Sequence, residues 1–522
     1  MASDSFWTVW RRTLHVLDVF EEKRPARGES PDIKRFRPFC GPFSDALRGV
    51  LEEKSMKYSH TAISVCALVV GASLALTAVS ANELLEGVEH MTGTFDDGQE
   101  WQLSVPADWN GVLINDLDSV GNVENGSDRA TFFLENGYAY TGTRRHPDRG
   151  YNWDPQAESD NMVRVLDIFE ENFDTPAHAI QFGCSGGGSV GLSVAEDHPG
   201  RFDGVISMHA STPVELANMR LDLSVALKAF LDPDGDLPLI IEDGQQAEAE
   251  EAWLAALEQA QATPEGRARM ALAAAVAQYP MWGSQNQPQA EKPDWDDPQS
   301  VQDTMVRAAV DGLRRAVTGR PMWDQPAGLM SWTTDVDYQQ FYENANPMQR
   351  EMVSQMYEAA GLGGEDAILA DIEQINAFPR IAATEAGVEY FRSRTHSGNI
   401  GIPVLHISNI GDGGTPAAVM AGYEAKIEQQ GTEDLYRQAF IDAAGHCTFN
   451  LAELAASVDT LVERLETGEW NTSPEAMNAA GEASGLGEAR FLALDDNTGF
   501  RLPDPFNRAF FRDDEVPGLV AE

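Results

Sequence analysis

From Glu100 onward the chain alternates short apolar runs with helical patterns, which restricts it to a mostly parallel sheet covered by helices on both faces. The predicted strands are Trp101 to Val105, Gly111 to Asn115, Tyr138 to Thr143, His178 to Phe182, Gly204 to His209, Val404 to Ser408 and Tyr436 to Ile441. Predicted helices between them include Asn161 to Asn172, Gly188 to Asp197, Pro416 to Gln429 and Leu451 to Leu465. The alternation stops after His209 and resumes only near Gly401. Residues 212–400 are therefore expected to form a large helical cap, inserted into a core built from 82–211 and 401–470. The cap's helical segments include 247–262 and 265–278, and Trp282, Trp295, Trp323 and Trp332 with Met281, Met322 and Met330 are expected to pack inside it. After Trp470 the chain turns rich in Gly, Ala, Ser and acidic residues, so 471–522 reads as an extended tail.

The N-terminal part has a different character. Met56-Lys57-Tyr58, the apolar run Ala62 to Leu76 and the small residues Val79-Ser80-Ala81 have the three regions of a secretory signal peptide, placing the mature start at Asn82. The run is shorter than the about 20 apolar residues a membrane span needs, although an uncut anchor is the alternative. A leader that begins at residue 56 is out of place, so residues 1–55 are expected to be an upstream extension from a misassigned start codon. A secreted or periplasmic protein follows, with no stable membrane insertion once the leader is removed.

The whole chain carries a net charge of −46, and from Asn82 on it holds 74 acidic against 26 basic side chains. Only Lys228, Lys292 and Lys426 remain as lysines there. So acidic a surface repels nucleic acid and anionic membranes, which excludes those partners, and it favours solubility in high salt.

Gly183-Cys184-Ser185-Gly186-Gly187 follows an apolar strand and opens a helix. Small residues on both sides allow the tight turn that lifts a serine hydroxyl above a sheet, so Ser185 is the candidate nucleophile. A phosphate-cradling turn is disfavoured, because no Gly-Lys-Ser/Thr follows and no acidic residue is placed for a ribose. An acid and then a histidine should occur in loops after later strands. Asp412 lies in the loop after Val404 to Ser408, and His446 in the loop after Tyr436 to Ile441. Asp442 is the competing acid, but it lies too close to His446 along its own strand end. A neutral serine is a poor nucleophile; the imidazole takes its proton, and the carboxylate fixes the tautomer. This order of Ser, Asp and His along alternating elements is that of the α/β-hydrolase fold.

The acyl-transfer oxyanion needs two donors, each worth about 3 kcal/mol of barrier. The N–H of Gly186 supplies one, and the loop after Gly111 to Asn115 should supply the other, from Asp116 or Leu117. Cys184 precedes the nucleophile and Cys447 follows the base; they are the only cysteines after Asn82, so a disulfide between them is expected. None of this chemistry calls for a cofactor or metal. Asp232-Pro233-Asp234-Gly235-Asp236 approaches a calcium loop, but Leu237 stands where that loop needs glycine, and a solvated acidic turn is the reading. Arg144-Arg145-His146 could bind a substrate carboxylate, yet surface pairing fits so acidic a chain better.

The Cys-Ser, Asp and His-Cys arrangement resembles that of the tannase and feruloyl esterase family. His198-Pro199-Gly200-Arg201-Phe202-Asp203-Gly204 is similar to the segment after that family's elbow, and the likeness spans 178–211 and 402–466. The end Gly445-His446-Cys447-Thr448-Phe449 also resembles a neighbouring group of exported α/β-hydrolases. The resemblance implies a serine esterase that acts on a small-molecule ester through an acyl-serine intermediate. The alternative is a secreted peptidase of prolyl-aminopeptidase type, which would need cap carboxylates such as Glu248 or Asp294 to grip a free amine. A catalytically dead binding scaffold is disfavoured, because all three triad residue types are present.

Overall fold

The computed structural model describes residues 86–146, 154–210, 212–242, 244–283, 290–319, 327–494, 502 and 505–521. The expected leader at 56–81, the extension at 1–55, Met322 and Trp323 lie outside the described residues. Nine strands form one sheet: β1 (Val88–Thr94), β2 (Glu100–Pro106), β3 (Val112–Asp116), β4 (Ala139–Thr143), β5 (His178–Cys184), β6 (Gly204–Met208), β7 (Val404–Gly411), β8 (Tyr436–Ala444) and β9 (Phe491–Leu492). Their spatial order is β1-β2-β4-β3-β5-β6-β7-β8-β9. From β4 to β8 every pairing is parallel, and β1, β2 and β9 join antiparallel at the two sides. The protein has the α/β-hydrolase fold.

The helices in chain order are α1 (Asp128–Glu135), α2 (Pro155–Asn172), α3 (Gly186–Asp197), α4 (Pro213–Leu231), α5 (Gln246–Gln261), α6 (Pro264–Val276) and α7 (Pro298–Gly319). They continue with α8 (Tyr338–Glu343), α9 (Pro347–Ala359), α10 (Glu365–Ala377), α11 (Glu385–Arg392), α12 (Ala418–Gln430), α13 (Leu451–Thr467) and α14 (Pro474–Ser484). One sheet face buries Ile114, Ile180 and Ile206 against α1 and α13; the other buries Leu113, Val205 and Val404 against α2, α3 and α12. The two sets alternate along each strand, as a sheet buried on both faces requires.

Between β6 and β7 the described residues form helices α4 to α11 and no strand. This insertion has its own core, where Trp253, Tyr338, Tyr357 and Phe391 are fully buried. Met281 and Met330 belong to that core, with Trp295 and Trp332 packed against it. Trp282 departs from the expectation: it packs with Ile410, Met420 and Phe440 of the sheet layer. The short link after α6 turns it down onto the ends of β7 and β8, so the insertion is seated directly on the strand ends.

The segment after Trp470 also differs from an extended tail. Ser473 accepts from the Ala476 N–H, Pro474 occupies the first turn and Gly485 ends α14 in the left-handed conformation, so each end of this helix carries its own signal. The last described stretch then crosses to the insertion. Phe506 and Phe510 enter its core, Arg508 pairs with buried Asp222 of α4, and Val520 bridges Thr384.

Candidate active site

Ser185 stands between β5 and α3 with φ 60° and ψ −120°, a left-handed conformation that non-glycine residues rarely adopt. Its N–H donates to the Met208 carbonyl at 2.9 Å, which anchors the turn to the end of β6. The glycines around it are required by close approach. A Cβ on Gly183 would stand 2.3 Å from the Gly187 carbonyl carbon, and one on Gly188 would stand 2.6 Å from the Met208 oxygen. The local sequence thus forces a sharp strand-to-helix turn with the serine at its apex and the N-terminal end of α3 beneath it.

Asp412 follows the last residue of β7 and is completely buried. Its Oδ1 accepts from the Gly414 N–H at 2.6 Å and the Thr415 N–H at 3.1 Å. Its Oδ2 accepts from His446 Nδ1 at 2.8 Å. Asp442, the competing acid, is instead paired with Lys292. Burial pushes the Asp412 carboxyl up, but the His446 and His209 imidazoles and their hydrogen bonds outweigh it and hold it well below the usual carboxylate range.

The second imidazole was not singled out from the sequence. His209, expected as the last residue of a strand, lies just beyond β6 with φ 49°, is fully buried and places Nδ1 2.6 Å from Asp412 Oδ2. Its rings and those of His446 stand edge to face, 5.7 Å between centroids. The one available signal was its position, a histidine at the carboxyl end of a central strand.

Cys184 and Cys447 are joined by a disulfide, with Cα atoms 6.1 Å apart across 263 positions of sequence. The residue before Ser185 and the residue after His446 are therefore held together covalently. Among the described residues five non-glycines have positive φ, and three of them, Ser185, His209 and Cys447, surround this one site. Such clustering of strained backbone is typical of functional sites.

Of the two expected oxyanion donors beside Gly186, Asp116 is the last residue of β3, inside the ladder opposite Gly142 and Phe182. Its buried carboxylate accepts from Tyr140 and pairs with Arg129. Leu117 leaves the strand and lies against the first turn of α3, its Cβ 3.5 Å from where a Cβ on Gly187 would stand. The basic cluster is paired: Arg144 with Glu100, Arg145 in two bonds with Asp118, and His146 with the Asp97 carbonyl. In the acidic turn the Asp232 carboxylate folds back onto Lys228 and the Leu237 N–H.

The insertion reaches the acid loop from above. Arg220 of α4, fully buried and pulled down to about 10 by that burial, donates to the Gly414 carbonyl at 2.7 Å. A Cβ on Gly283 would lie 3.5 Å from the Gly411 oxygen. Beside the disulfide, a cavity of about 460 Å³ is lined by Asn122, Arg129, Cys447, Phe449 and Leu454. Among the described residues, one group of three could offer ligand atoms to a metal: His209, Asp412 and His446, within 4.8 Å of one another. Both imidazoles already spend their Nδ1 atoms on the Asp412 carboxylate. No helix among the described residues is long and apolar enough to cross a membrane.

Residues 89–323 match a tannase-like family of unknown function, DUF6351. The chain is 39% identical over 446 residues to an o-phthalyl amidase of Xanthobacter agilis, covering 80% of this chain and 96% of that protein. Among solved structures it is similar to feruloyl esterase B from Aspergillus oryzae, with 13% identity, a TM-score of 0.35 and coverage of 73% of this chain and 80% of that one. It is also similar to tannin acyl hydrolase from Aspergillus niger, with 11% identity, a TM-score of 0.31 and coverage of 74% and 83%.

Proposed function

We propose that this chain, which belongs to the family of the 39% identical o-phthalyl amidase and matches a tannase-like family over residues 89–323, is a secreted serine hydrolase cleaving carboxylic esters through an acyl-serine intermediate. The observation that carries this reading is the Asp412–His446 hydrogen bond, at a loop tied by disulfide to the strained turn bearing Ser185. Asp412 accepts only, so His446 Nδ1 carries the hydrogen and Nε2 is left as the base.

His446 Nε2 takes the proton from Ser185 Oγ as the oxygen attacks the acyl carbon, and returns it to the leaving alcohol. Water, deprotonated by the same nitrogen, then releases the acid. The Gly186 N–H at the start of α3 and the Leu117 N–H beside it stabilise the oxyanion; of the two candidates in that loop, Leu117 is favoured by its contact with α3. Export is supported by the leader-like segment Met56 to Ala81 and by the disulfide.

A second reading, hydrolysis of an amide, is favoured by the name of the 39% identical relative. An aminopeptidase would need carboxylates to grip a free amine, and the candidates Glu248 and Asp294 are both solvent-exposed. Turnover of p-nitrophenyl esters, aryl amides of aromatic acids and aminoacyl-nitroanilides by wild type and Ser185→Ala separates these readings. Ester turnover abolished in Ser185→Ala is expected. Amide turnover that exceeds ester turnover moves the assignment to amidase, and equal turnover with and without the Ser185 hydroxyl ends the serine mechanism.

A further inference from the structure

In the simplest form of this chemistry the acid serves one imidazole, but here it serves two. His209 Nδ1 lies 2.6 Å from the same Asp412 Oδ2 that His446 Nδ1 approaches at 2.8 Å. Oδ1 is occupied by the Gly414 and Thr415 N–H groups, so four donors converge on one carboxylate. Asp412 accepts only, so His209 also carries its hydrogen on Nδ1.

His209 occupies this place at a visible cost. Its ring is completely buried, its Nε2 has no hydrogen-bond partner among the described residues, and its backbone is left-handed. An aliphatic residue would fill a buried site without an orphaned nitrogen, and glycine would take the φ without strain. Neither supplies a donor to Asp412.

The backbone around His209 shows what the donor is fixed to. Met208 accepts the Ser185 N–H at 2.9 Å, and the His209 N–H donates to the Ile407 carbonyl at 2.8 Å. The pair 208–209 thus joins the nucleophile's turn to the strand that carries the acid. Asp412 itself sits between Gly411, the last residue of β7, and the pair Gly413-Gly414, whose backbone has little stiffness of its own.

We propose that His209 is a positioning residue that clamps Asp412 through its Nδ1–H, so that the carboxylate keeps His446 aligned with Ser185. The proposal rests on the serine-hydrolase reading and deepens it. It acts through Asp412 and touches no substrate, so its loss should fall on kcat and leave KM nearly unchanged.

The test compares His209→Asn, whose amide N–H takes the place of Nδ1, with His209→Gln, whose amide lies one methylene too far, and with His209→Leu. With p-nitrophenyl acetate as probe, Gln and Leu are expected to lose about 10- to 100-fold in kcat at nearly constant KM, the scale of a misplacement of about 1 Å. Asn is expected to stay within about fivefold of wild type. In protein labelled with 15N-histidine, wild type should show two strongly deshielded imidazole N–H protons, and each His209 variant one. Should Leu fail to fold, as judged by thermal melting, the Asn and Gln pair decides alone: equal kcat for those two overturns the proposal. Ser185→Ala run in parallel separates the two levels. An inactive Ser185→Ala beside fully active Gln and Leu variants refutes the clamp and leaves the serine mechanism standing, whereas an active Ser185→Ala refutes both.

Discussion

The disulfide lends itself to a prediction in which stability and activity part company. Replacing Cys184 and Cys447 together by serine opens a covalent loop of 263 positions. The chain-entropy relation sets a ceiling of about 5.6 kcal/mol on the stabilisation lost, and measured disulfides contribute about 2–4 kcal/mol. Unfolding the compact unit Val79–Glu522 carries an entropy of about 0.9 kcal/mol per kelvin at about 2.1 cal/mol/K per residue, so a loss of 3 kcal/mol lowers Tm by only about 3–4 °C. The catalytic effect is of another order. The bond spans the neighbours of Ser185 and His446, and a drift of about 1 Å between those loops costs about 100-fold in rate. The double variant is therefore expected to melt a few degrees lower and to hydrolyse p-nitrophenyl acetate about 100-fold more slowly, with wild type in reductant matching it. Scanning calorimetry and steady-state turnover measure both quantities on one preparation. A double variant that keeps kcat within threefold of wild type would falsify the claim that the bond aligns the site.

Three further outcomes follow from the buried polar groups. Asp412→Asn should lower kcat about 10,000-fold while the disulfide still forms, because an amide that donates to His446 reverses the tautomer; turnover near wild type would remove Asp412 from the proposed triad. His406 is pulled down to about 3 by burial, helped by repulsion from His209 and His396, against about 6.5 when unfolded; the folded state binds fewer protons, so its contribution is present above pH 6.5 and lost as pH falls toward 3. Between pH 6 and 4 wild type should lose about 2–3 kcal/mol more than His406→Gln in denaturant titrations, and parallel losses in the two would refute this. Lys426 and Glu215 form a completely buried ion pair between α12 and α4, so Lys426→Met should cost about 3–5 kcal/mol, and adding Glu215→Leu should recover most of it; a single variant as stable as wild type would show the pair to be dispensable.

The central strands were legible because each is an apolar run of parallel-sheet length bounded by turn residues. Ser185, Asp412 and His446 could be put forward as a triad because each sits in a turn whose place in the strand order is readable locally. The edges were not readable in this way. β1 has the pattern Val-Glu-His-Met-Thr-Gly-Thr, half-exposed along its length, and β9 is two residues long. The Gly- and Ala-rich composition of 471–485 concealed α14, although Ser473, Pro474 and Gly485 were its markers. Trp282 looked like part of the insertion's core because nothing nearby in sequence shows that its partners are Ile410 and Phe440. His209 was passed over because its role depends on a partner 203 positions away. Pairings across that distance come from the sheet's assembly, and no local pattern encodes them.

The buried bond between Asp222 and Arg508 also bears on how the molecule is made. The two residues are 286 positions apart, so α4 emerges from the ribosome long before its counter-ion. Burial pushes the Asp222 carboxyl up even with Arg508 beside it, and Arg508 opposes the push. A nascent chain cut short of Arg508 thus holds an acid that resists being enclosed, and the helical layer around it has reason to stay open.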